Sequence, residues 1–143
     1  MQGFFQQFLL LYRPLISMLN ELLGKYELSY SLWQIMFYLK TNGASSLVDI
    51  STHFNVEKPT ITRTVHRLEE KQIIQVIPGK DKREKIIQLT EYGEEIYQVC
   101  RKKITELEYS VMENIPIEEQ RAAYQILPTI RKNILIKEGN RLE

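Results

Sequence analysis

The chain has 143 residues, of which 43% are hydrophobic, and this is enough for one compact core of ordinary size. Its single cysteine excludes an intrachain disulfide framework and favours a cytoplasmic protein, since reducing compartments keep thiols free. The formal net charge is +1, so the total charge does not indicate a polyanionic partner, although charge can still be concentrated locally.

The N-terminal segment predicts one long amphipathic helix. Two adjacent apolar stripes run from Phe4 to Leu23 at spacings of three and four residues. Pro14 interrupts them and predicts a kink, and Gly24 predicts the end. The apolar run is too short to cross a bilayer, and it lacks the basic start of a signal peptide. One small globule covers a single stripe, so the second stripe indicates a partner subunit.

A second, shorter helix is expected to follow. Either Ser29 or Ser31 can cap it, and Ser31 with Gln34 has the spacing of a capping box. Asn42-Gly43 predicts its end. The side chains expected to face inward are Trp33, Met36 and Phe37.

A third helix and a fourth follow, separated by about three residues, which is typical of a tight turn. The third begins near Ser46, which has capping-box spacing with Asp49. The fourth begins near Glu57, with Pro59 in its first turn, where a missing N–H is tolerated. The apolar positions of the third helix are Leu47, Ile50 and Phe54.

The fourth helix has one apolar side and one side rich in hydrogen-bond donors. Its inner positions are Ile61, Val65 and Leu68. Its outer positions are Thr60, Thr62, Arg63, His66 and Arg67. All five outer side chains can donate hydrogen bonds, and the two arginines are permanently charged.

The pattern then changes to β-rich runs at Ile73–Ile77 and Lys85–Leu89, on either side of a charged Pro78–Glu84 segment. This predicts a hairpin with a charged tip. From Glu57 to Lys85 the chain carries eight basic and five acidic residues, so positive charge is concentrated here. The basic residues are Lys58, Arg63, Arg67, Lys71, Lys80, Lys82, Arg83 and Lys85.

Two more helices are expected at the C-terminal end. Thr90 caps the first, which is expected to run to about Asn114, and Pro116 separates the two. The last helix starts at about Ile117 and is expected to kink at Pro128. The apolar face of the first is expected to contain Ile96, Cys100, Ile104, Leu107, Val111 and Ile115.

The order of two helices, a tight turn and a hairpin is typical of a helix-turn-helix with a wing. Short polar donors near the start of a recognition helix can meet base edges, and arginines farther along can reach guanine or phosphate. A wing places a cation in a minor groove. Arg83 lies at the predicted tip, with Asp81 as a partner to fix its orientation.

Four motifs in this order resemble the MarR (multiple-antibiotic-resistance-regulator) family of dimeric repressors, most specifically between Leu28 and Gly93. They are Pro59-Thr-Ile-Thr-Arg63, Arg67-Leu-Glu69, Asp81-Lys-Arg83 and Leu89-Thr90-Glu-Tyr-Gly93. The resemblance implies a mainly α fold with a small β-hairpin wing. It implies that 1–27 and 91–143 form a helical dimerisation region and 28–90 a winged helix-turn-helix lobe, within one MarR-like domain over 1–143.

The resemblance also implies a set of DNA contacts. Recognition-helix contacts fall on Pro59, Thr60, Thr62 and Arg63, and the minor-groove arginine on Arg83. The chain departs from the family at Gln72, where a glycine is usual, and at Val76 and Ile77, where basic residues are frequent. Gln72 must be left-handed or the helix must end differently. The complete set of candidate DNA-binding residues is Lys58, Pro59, Thr60, Thr62, Arg63, Arg67, Asp81 and Arg83.

Other candidate sites are less specific. His53 and His66 lie on different predicted helices without metal-ligand spacing, so a structural role is favoured over a metal site. A redox role for Cys100 is disfavoured because no second cysteine can resolve it, although Arg101–Lys103 favour a lowered pKa. Five aromatic residues could line an effector pocket or simply pack in the core, and both interpretations stay open: Tyr12, Tyr26, Tyr30, Trp33 and Tyr38.

The leading hypothesis is a homodimeric, sequence-specific regulator of transcription, a repressor that binds a palindromic operator in double-stranded DNA and is released by a small aromatic effector. The alternative is a winged-helix module that binds protein without DNA. A small helical enzyme ranks last, because no catalytic constellation, metal cluster or cofactor motif is recognisable in the sequence.

Overall fold

The computed structural model describes residues 2–81 and 83–141, with only the backbone at 141. Lys82, one of the eight basic residues, therefore lies outside the described residues. The helices are α1 Phe4–Gly24, α2 Tyr30–Asn42, α3 Leu47–Phe54, α4 Lys58–Glu70, α5 Glu91–Val111 and α6 Ile117–Arg141. The strands are β1 Ser45–Ser46, β2 Ile74–Pro78 and β3 Lys85–Leu89. One compact unit ends at Thr105 and a second begins at Glu106.

Helix α1 has the predicted bounds and continues through Pro14, so the kink there stays a prediction. Leu23 is its only buried residue, and both predicted apolar stripes are largely exposed over the first four turns. At its C-terminal end the Asn20 side-chain oxygen accepts a hydrogen bond from the backbone nitrogen of Tyr30, at 2.8 Å. This bond ties the end of α1 to the start of α2. No helix in the described part of the chain is both long and apolar enough to cross a membrane.

Helix α2 is capped by Ser29, whose side chain accepts a hydrogen bond from the backbone nitrogen of Leu32. The alternative capping box of Ser31 and Gln34 is wrong, because Ser31 lies inside the helix and is exposed. The helix ends at Asn42, as predicted, and Gly43 follows with a φ of 79°, which glycine adopts without steric cost.

The inner face of α2 supplies much of the core, with Trp33 and Met36 buried as predicted. Phe37 was expected to face inward as well, but 41% of its surface is exposed. Five other positions of the helix are buried and occupy the core-facing side: Leu32, Trp33, Ile35, Met36 and Leu39. Phe37 instead lies at the edge, where its ring is 6.5 Å from that of Tyr97.

The wing hairpin is part of a three-stranded antiparallel sheet in the order β1-β3-β2. Strands β2 and β3 agree with the prediction to within one residue at each end. Strand β1 was not predicted, because it has only two residues and its partners, Ile86 and Ile87, are distant in sequence. It anchors the wing strand to the segment that leads directly into α3.

Helix α5 begins after Thr90, as predicted, but ends at Val111 rather than near Asn114, where φ is 66°. Its buried residues are Gly93, Tyr97, Cys100 and Ile104. The predicted apolar face is therefore only half buried, since Val111 and Ile115 are exposed. Helix α6 starts at Ile117 and continues through Pro128, so the kink predicted there also stays a prediction.

Candidate nucleic-acid interface

A three-residue turn connects α3 to α4. Helix α3 starts with the predicted capping box, in which the Ser46 hydroxyl and the Asp49 carboxylate each accept a bond from the other's backbone nitrogen at 3.1 Å. It ends at Asn55, which is left-handed with a φ of 53°. Asparagine tolerates this conformation better than most other side chains do, so it can end α3 and start the turn.

Helix α4 lies on the core through three side chains on one face. Ile61, Val65 and Leu68 are at most 6% exposed, as the sequence predicted. The opposite side is exposed to solvent and forms what we call the donor ridge, consisting of Lys58, Pro59, Thr60, Thr62, Arg63 and Arg67. All the candidate residues predicted on this helix therefore lie on one accessible surface.

Hydrogen bonds within the donor ridge divide its threonines into two kinds. The Arg63 guanidinium donates to the Thr60 hydroxyl oxygen at 3.3 Å, so the Thr60 hydrogen remains available for a partner outside the protein. The Thr62 hydroxyl donates to the Lys58 carbonyl at 2.9 Å, which leaves Thr62 only as an acceptor. The ridge thus presents Thr60 and Arg63 as a preorganised pair of donors.

The C-terminal half of α4 has a side-chain contact of its own. His66 contacts the Glu70 carboxylate at 2.8 Å, and both side chains are about two-thirds exposed. Arg67 forms no ion pair within the described part of the chain, so its charge is available to a phosphate or a base.

The end of α4 is joined to the wing by Gln72, which takes the left-handed conformation with a φ of 62°. Of the two possibilities at this position, where the family usually has glycine, the left-handed backbone is therefore the one adopted. A non-glycine residue in this conformation costs about 1 kcal/mol. The Gln72 carbonyl accepts a hydrogen bond from the Thr90 hydroxyl at 2.6 Å, and the same hydroxyl oxygen caps α5 by accepting from Gly93. Thr90 therefore ties the C-terminal end of α4 to α5.

The wing tip is ordered by its own backbone. The amide of Gly79 donates to the Glu84 carbonyl, and the amide of Glu84 donates to the Asp81 carbonyl, both at 2.9 Å. The Asp81 carboxylate accepts from the backbone nitrogen of Arg83 at 3.2 Å. Asp81 thus orients Arg83 through the main chain. No ion pair joins the two side chains, and the Arg83 guanidinium is exposed without an ionic partner among the described residues.

The two residues that replace basic side chains on the first wing strand have different environments. Val76 packs against the core, and Ile77 lies on the opposite face, paired with Ile86. Neither can contact a phosphate by charge. Among the described residues of the wing, the exposed cations are instead at its tip and at the start of β3, in Lys80, Arg83 and Lys85.

The other candidates from the sequence are the two histidines and the single cysteine. Residues 2–81 and 83–141 contain no cluster of three or more potential metal ligands. Cys100 is completely buried, and burial raises the pKa of its thiol to about 11. The expectation that Arg101–Lys103 lower that pKa is therefore wrong, since desolvation of the thiolate outweighs the basic neighbours.

The aromatic residues considered for an effector pocket are in part core residues. Trp33 is 5% exposed and stacks on Tyr97 with ring centres 5.1 Å apart. Tyr38 is half-buried and packs against the core, and its ring centre lies 4.7 Å from that of His53. Core packing accounts for these two residues. Tyr12, in contrast, is largely exposed on α1. The pKa of Tyr30 is raised by burial and by the nearby Tyr12.

Comparison with known proteins decides the family. The MarR family profile matches residues 28–85, the helix-turn-helix and wing up to the start of β3. The transcriptional regulator YwoH of Bacillus subtilis is 36% identical over 103 residues, which are 72% of this chain and 75% of YwoH. The chain belongs to the MarR family.

Other relatives extend this MarR-family match to almost the whole chain. The regulator SAS2155 of Staphylococcus aureus is 31% identical over 140 residues, 96% of this chain and 95% of the relative. The structure of S. aureus MarR in complex with salicylate and kanamycin has a TM-score of 0.84 at 28% identity, covering 94% of this chain and 91% of that one. The fold is thus a MarR winged helix-turn-helix, and the relatives are transcriptional regulators.

Several residues that shape this MarR-family surface were not singled out from the sequence. Asn55 sets the turn, and its signal was an asparagine directly after the last apolar position of α3. Gly93 is part of a sequence motif, but its role is steric and depends on the carbonyl of Ile73, 20 residues earlier. Glu57 was predicted as the start of α4 and as one of the five acidic residues of the basic segment, but not as a binding residue.

Proposed function

We propose that this MarR-family protein is a homodimeric repressor that binds a palindromic operator in double-stranded DNA. The observation that carries the proposal is the donor ridge of α4 together with the exposed Arg83 at the wing tip. Local hydrogen bonds hold the Thr60–Arg63 pair of the ridge and the backbone at Arg83 in place. Their preorganisation lowers the entropy that is lost on binding.

The donor ridge suits the major groove, where each base pair presents a distinct set of donors and acceptors. Arg63 can donate to guanine O6 and N7, and Thr60 can donate its free hydroxyl hydrogen to an adjacent acceptor. Lys58 and Arg67 lie at the two ends of the ridge and can contact phosphates, which fixes the register of the helix on the duplex. Pro59 offers an apolar surface to a thymine methyl group.

The wing suits the minor groove. Its tip carries exposed cations, and Asp81 holds the backbone of Arg83 in place. A narrow A/T-rich groove concentrates negative potential and attracts an inserted guanidinium. We infer that Arg83 contributes more to affinity than to sequence specificity.

The homodimer is inferred from apolar surface that a monomer leaves uncovered. In α1, Leu9, Leu10 and Leu11 each expose more than half of their surface. In the unit that begins at Glu106, Ile117 and Ile136 expose about half of theirs. Soluble monomers rarely expose contiguous apolar patches of this kind. We propose that 1–27 and 91–143 form the dimerisation region and 28–90 the DNA-binding lobe.

Dimer symmetry sets the form of the operator. Two recognition helices related by a two-fold axis meet successive major grooves when they are about 34 Å apart, which is one turn of DNA. A ligand that changes this spacing releases the DNA. Because the S. aureus relative is in complex with salicylate, a small aromatic acid is the effector class that we propose, and salicylate is the first probe.

Selection from randomised duplex DNA with the full-length protein tests the proposal. We expect enrichment of a palindrome with half-site centres about 10 base pairs apart, and one dimer per duplex by analytical ultracentrifugation. A reporter placed behind that operator should lose expression when the protein is made and recover it with salicylate. If no sequence is enriched, a winged-helix module that binds protein is favoured instead. If reporter expression does not change, the proposal that the protein is a repressor is wrong.

A further inference from the structure

Glu57 stands directly before the donor ridge with a carboxylate that has no hydrogen-bond or ion-pair partner within the described part of the chain. Three of the other four helices that begin in the same unit start differently, and α1 also has no side-chain cap. Ser29, Ser46 and Thr90 each accept a hydrogen bond that caps α2, α3 or α5. The helix proposed to enter the groove therefore begins without the side-chain cap found at those three.

The missing cap has a structural cost that a short residue would remove. Serine, threonine, aspartate and asparagine at this position all stabilise a helix by accepting a bond from its first turn. A negative charge interacts well with a helix N-terminus, but aspartate would supply the charge and the cap together. A residue that departs from the usual capping preference, with nothing nearby to compensate, is expected mainly at functional positions.

The backbone of Glu57 is nevertheless fixed relative to the ridge. Its carbonyl accepts hydrogen bonds from the amides of Thr60 and Ile61, at 3.1 and 3.3 Å. Thr60, whose hydroxyl accepts from Arg63, lies three residues along, and positions three apart are neighbours on a helix surface. The exposed Glu57 carboxylate, which can accept hydrogen bonds, is therefore next to the preorganised donors Thr60 and Arg63.

We propose that Glu57 reads a cytosine in the major groove of each half-site, by accepting a hydrogen bond from the cytosine N4 amino group. This rests on the proposed DNA-binding function and specifies part of its target. An ionised carboxylate only accepts hydrogen bonds, and the amino donors of the major groove are cytosine N4 and adenine N6. Adenine presents its N7 acceptor beside N6, which repels a carboxylate, so cytosine is favoured.

A phosphate is the wrong partner for this side chain, because two negative charges repel. Lys58, the next residue, offsets that repulsion by supplying a cation for the DNA backbone. Glu57 therefore adds discrimination between bases at the expense of some affinity.

The test compares operator preference between the wild type and Glu57→Gln, each as full-length protein. Glutamine has the same length but can both donate and accept, so it pairs with adenine N7 and N6. Selection from randomised duplexes should give cytosine at one position of each half-site for the wild type and adenine for Glu57→Gln. Competition binding should show a change in the cytosine-to-adenine preference of about tenfold or more, the range of one good base contact.

Two further variants separate this contact from charge and from stability. Glu69→Gln removes the same charge near the opposite end of α4, where the residue is exposed. It should change the affinity for all DNA sequences equally and leave the base preference unchanged. Glu57→Ser introduces a short cap, so it should raise the melting temperature while losing the cytosine preference.

The outcomes are distinct. If the wild type enriches an operator and Glu57→Gln keeps the same base at every position, the inference about Glu57 is wrong and the proposed function stands. If the wild type enriches no sequence, both fail.

Discussion

Gly93 approaches Ile73 so closely that a Cβ atom on Gly93 would lie 2.0 Å from the Ile73 carbonyl oxygen. The same carbonyl accepts hydrogen bonds from the backbone nitrogen and the hydroxyl of Thr90. This contact presses the first turn of α5 against the junction between the recognition helix and the wing.

Gly93→Ala should therefore destabilise the protein, by about 3 kcal/mol or more, because backbone atoms must move to admit the methyl group. Urea denaturation followed by circular dichroism measures the change in the free energy of unfolding. Gly24→Ala is the matched control, since nothing lies within 4 Å of a Cβ there, and it should be neutral or stabilising. Equal stability of the two variants would mean that the close approach is relaxed in solution.

The exposed apolar face of α1 leads to a prediction about assembly. Phe8 is 43% exposed on the predicted dimer helix, and Phe8→Glu places a charge in an interface that should be apolar. We expect a shift from dimer to monomer in size-exclusion chromatography with light scattering, and a loss of operator binding. Gln6→Glu, on the polar side of the same helix, should remain dimeric. A monomeric wild type would refute the assignment of 1–27 to the interface.

Burial of Cys100 predicts a loss of stability at alkaline pH. Its pKa is raised by desolvation from 9.0 to about 11, so the unfolded chain loses this proton first as pH rises. The contribution to stability is complete below pH 9 and is lost between pH 9 and about 11, by about 2 kcal/mol. Tyr30, whose pKa is also raised, acts in the same direction.

Cys100→Ala removes the thiol, so its unfolding free energy should fall less steeply over that pH range than that of the wild type. The comparison uses the slope, because the cavity left by the substitution lowers stability at every pH. Thiol-specific alkylation should be slow in the native wild type at neutral pH and fast in urea. Rapid alkylation of the native protein would show that Cys100 is accessible.

The sequence was sufficient where the signal is local and repeated. The buried face of α4 at Ile61, Val65 and Leu68 follows from helical spacing alone, and the cap at Ser46 follows from a three-residue pattern. The same helical spacing that buries one face of α4 exposes the donor ridge on the opposite face. This is why the candidate residues of α4 were found together on one surface.

The sequence was insufficient where the cause is distant along the chain. Strand β1 forms only because Ser45 and Ser46 meet Ile87 and Ile86, some 40 residues later. The raised pKa of Cys100 depends on its burial, which adjacent lysines in the sequence do not reveal. The choice of Ser29 over Ser31 depends on where α2 starts, and two equivalent hydroxyls two residues apart cannot decide that.

The binding contribution of Arg63 and Arg83 is the most direct test of the central claim, measured by fluorescence anisotropy on the selected operator over a range of salt concentrations. Arg63→Ala and Arg83→Ala should each weaken binding about tenfold or more, and Arg83→Ala should reduce the salt slope by about one. Arg13→Ala, an exposed arginine of α1, should bind like the wild type. If Arg63→Ala and Arg83→Ala both retain wild-type affinity and salt slope, the donor ridge and the wing are not the surface that binds DNA.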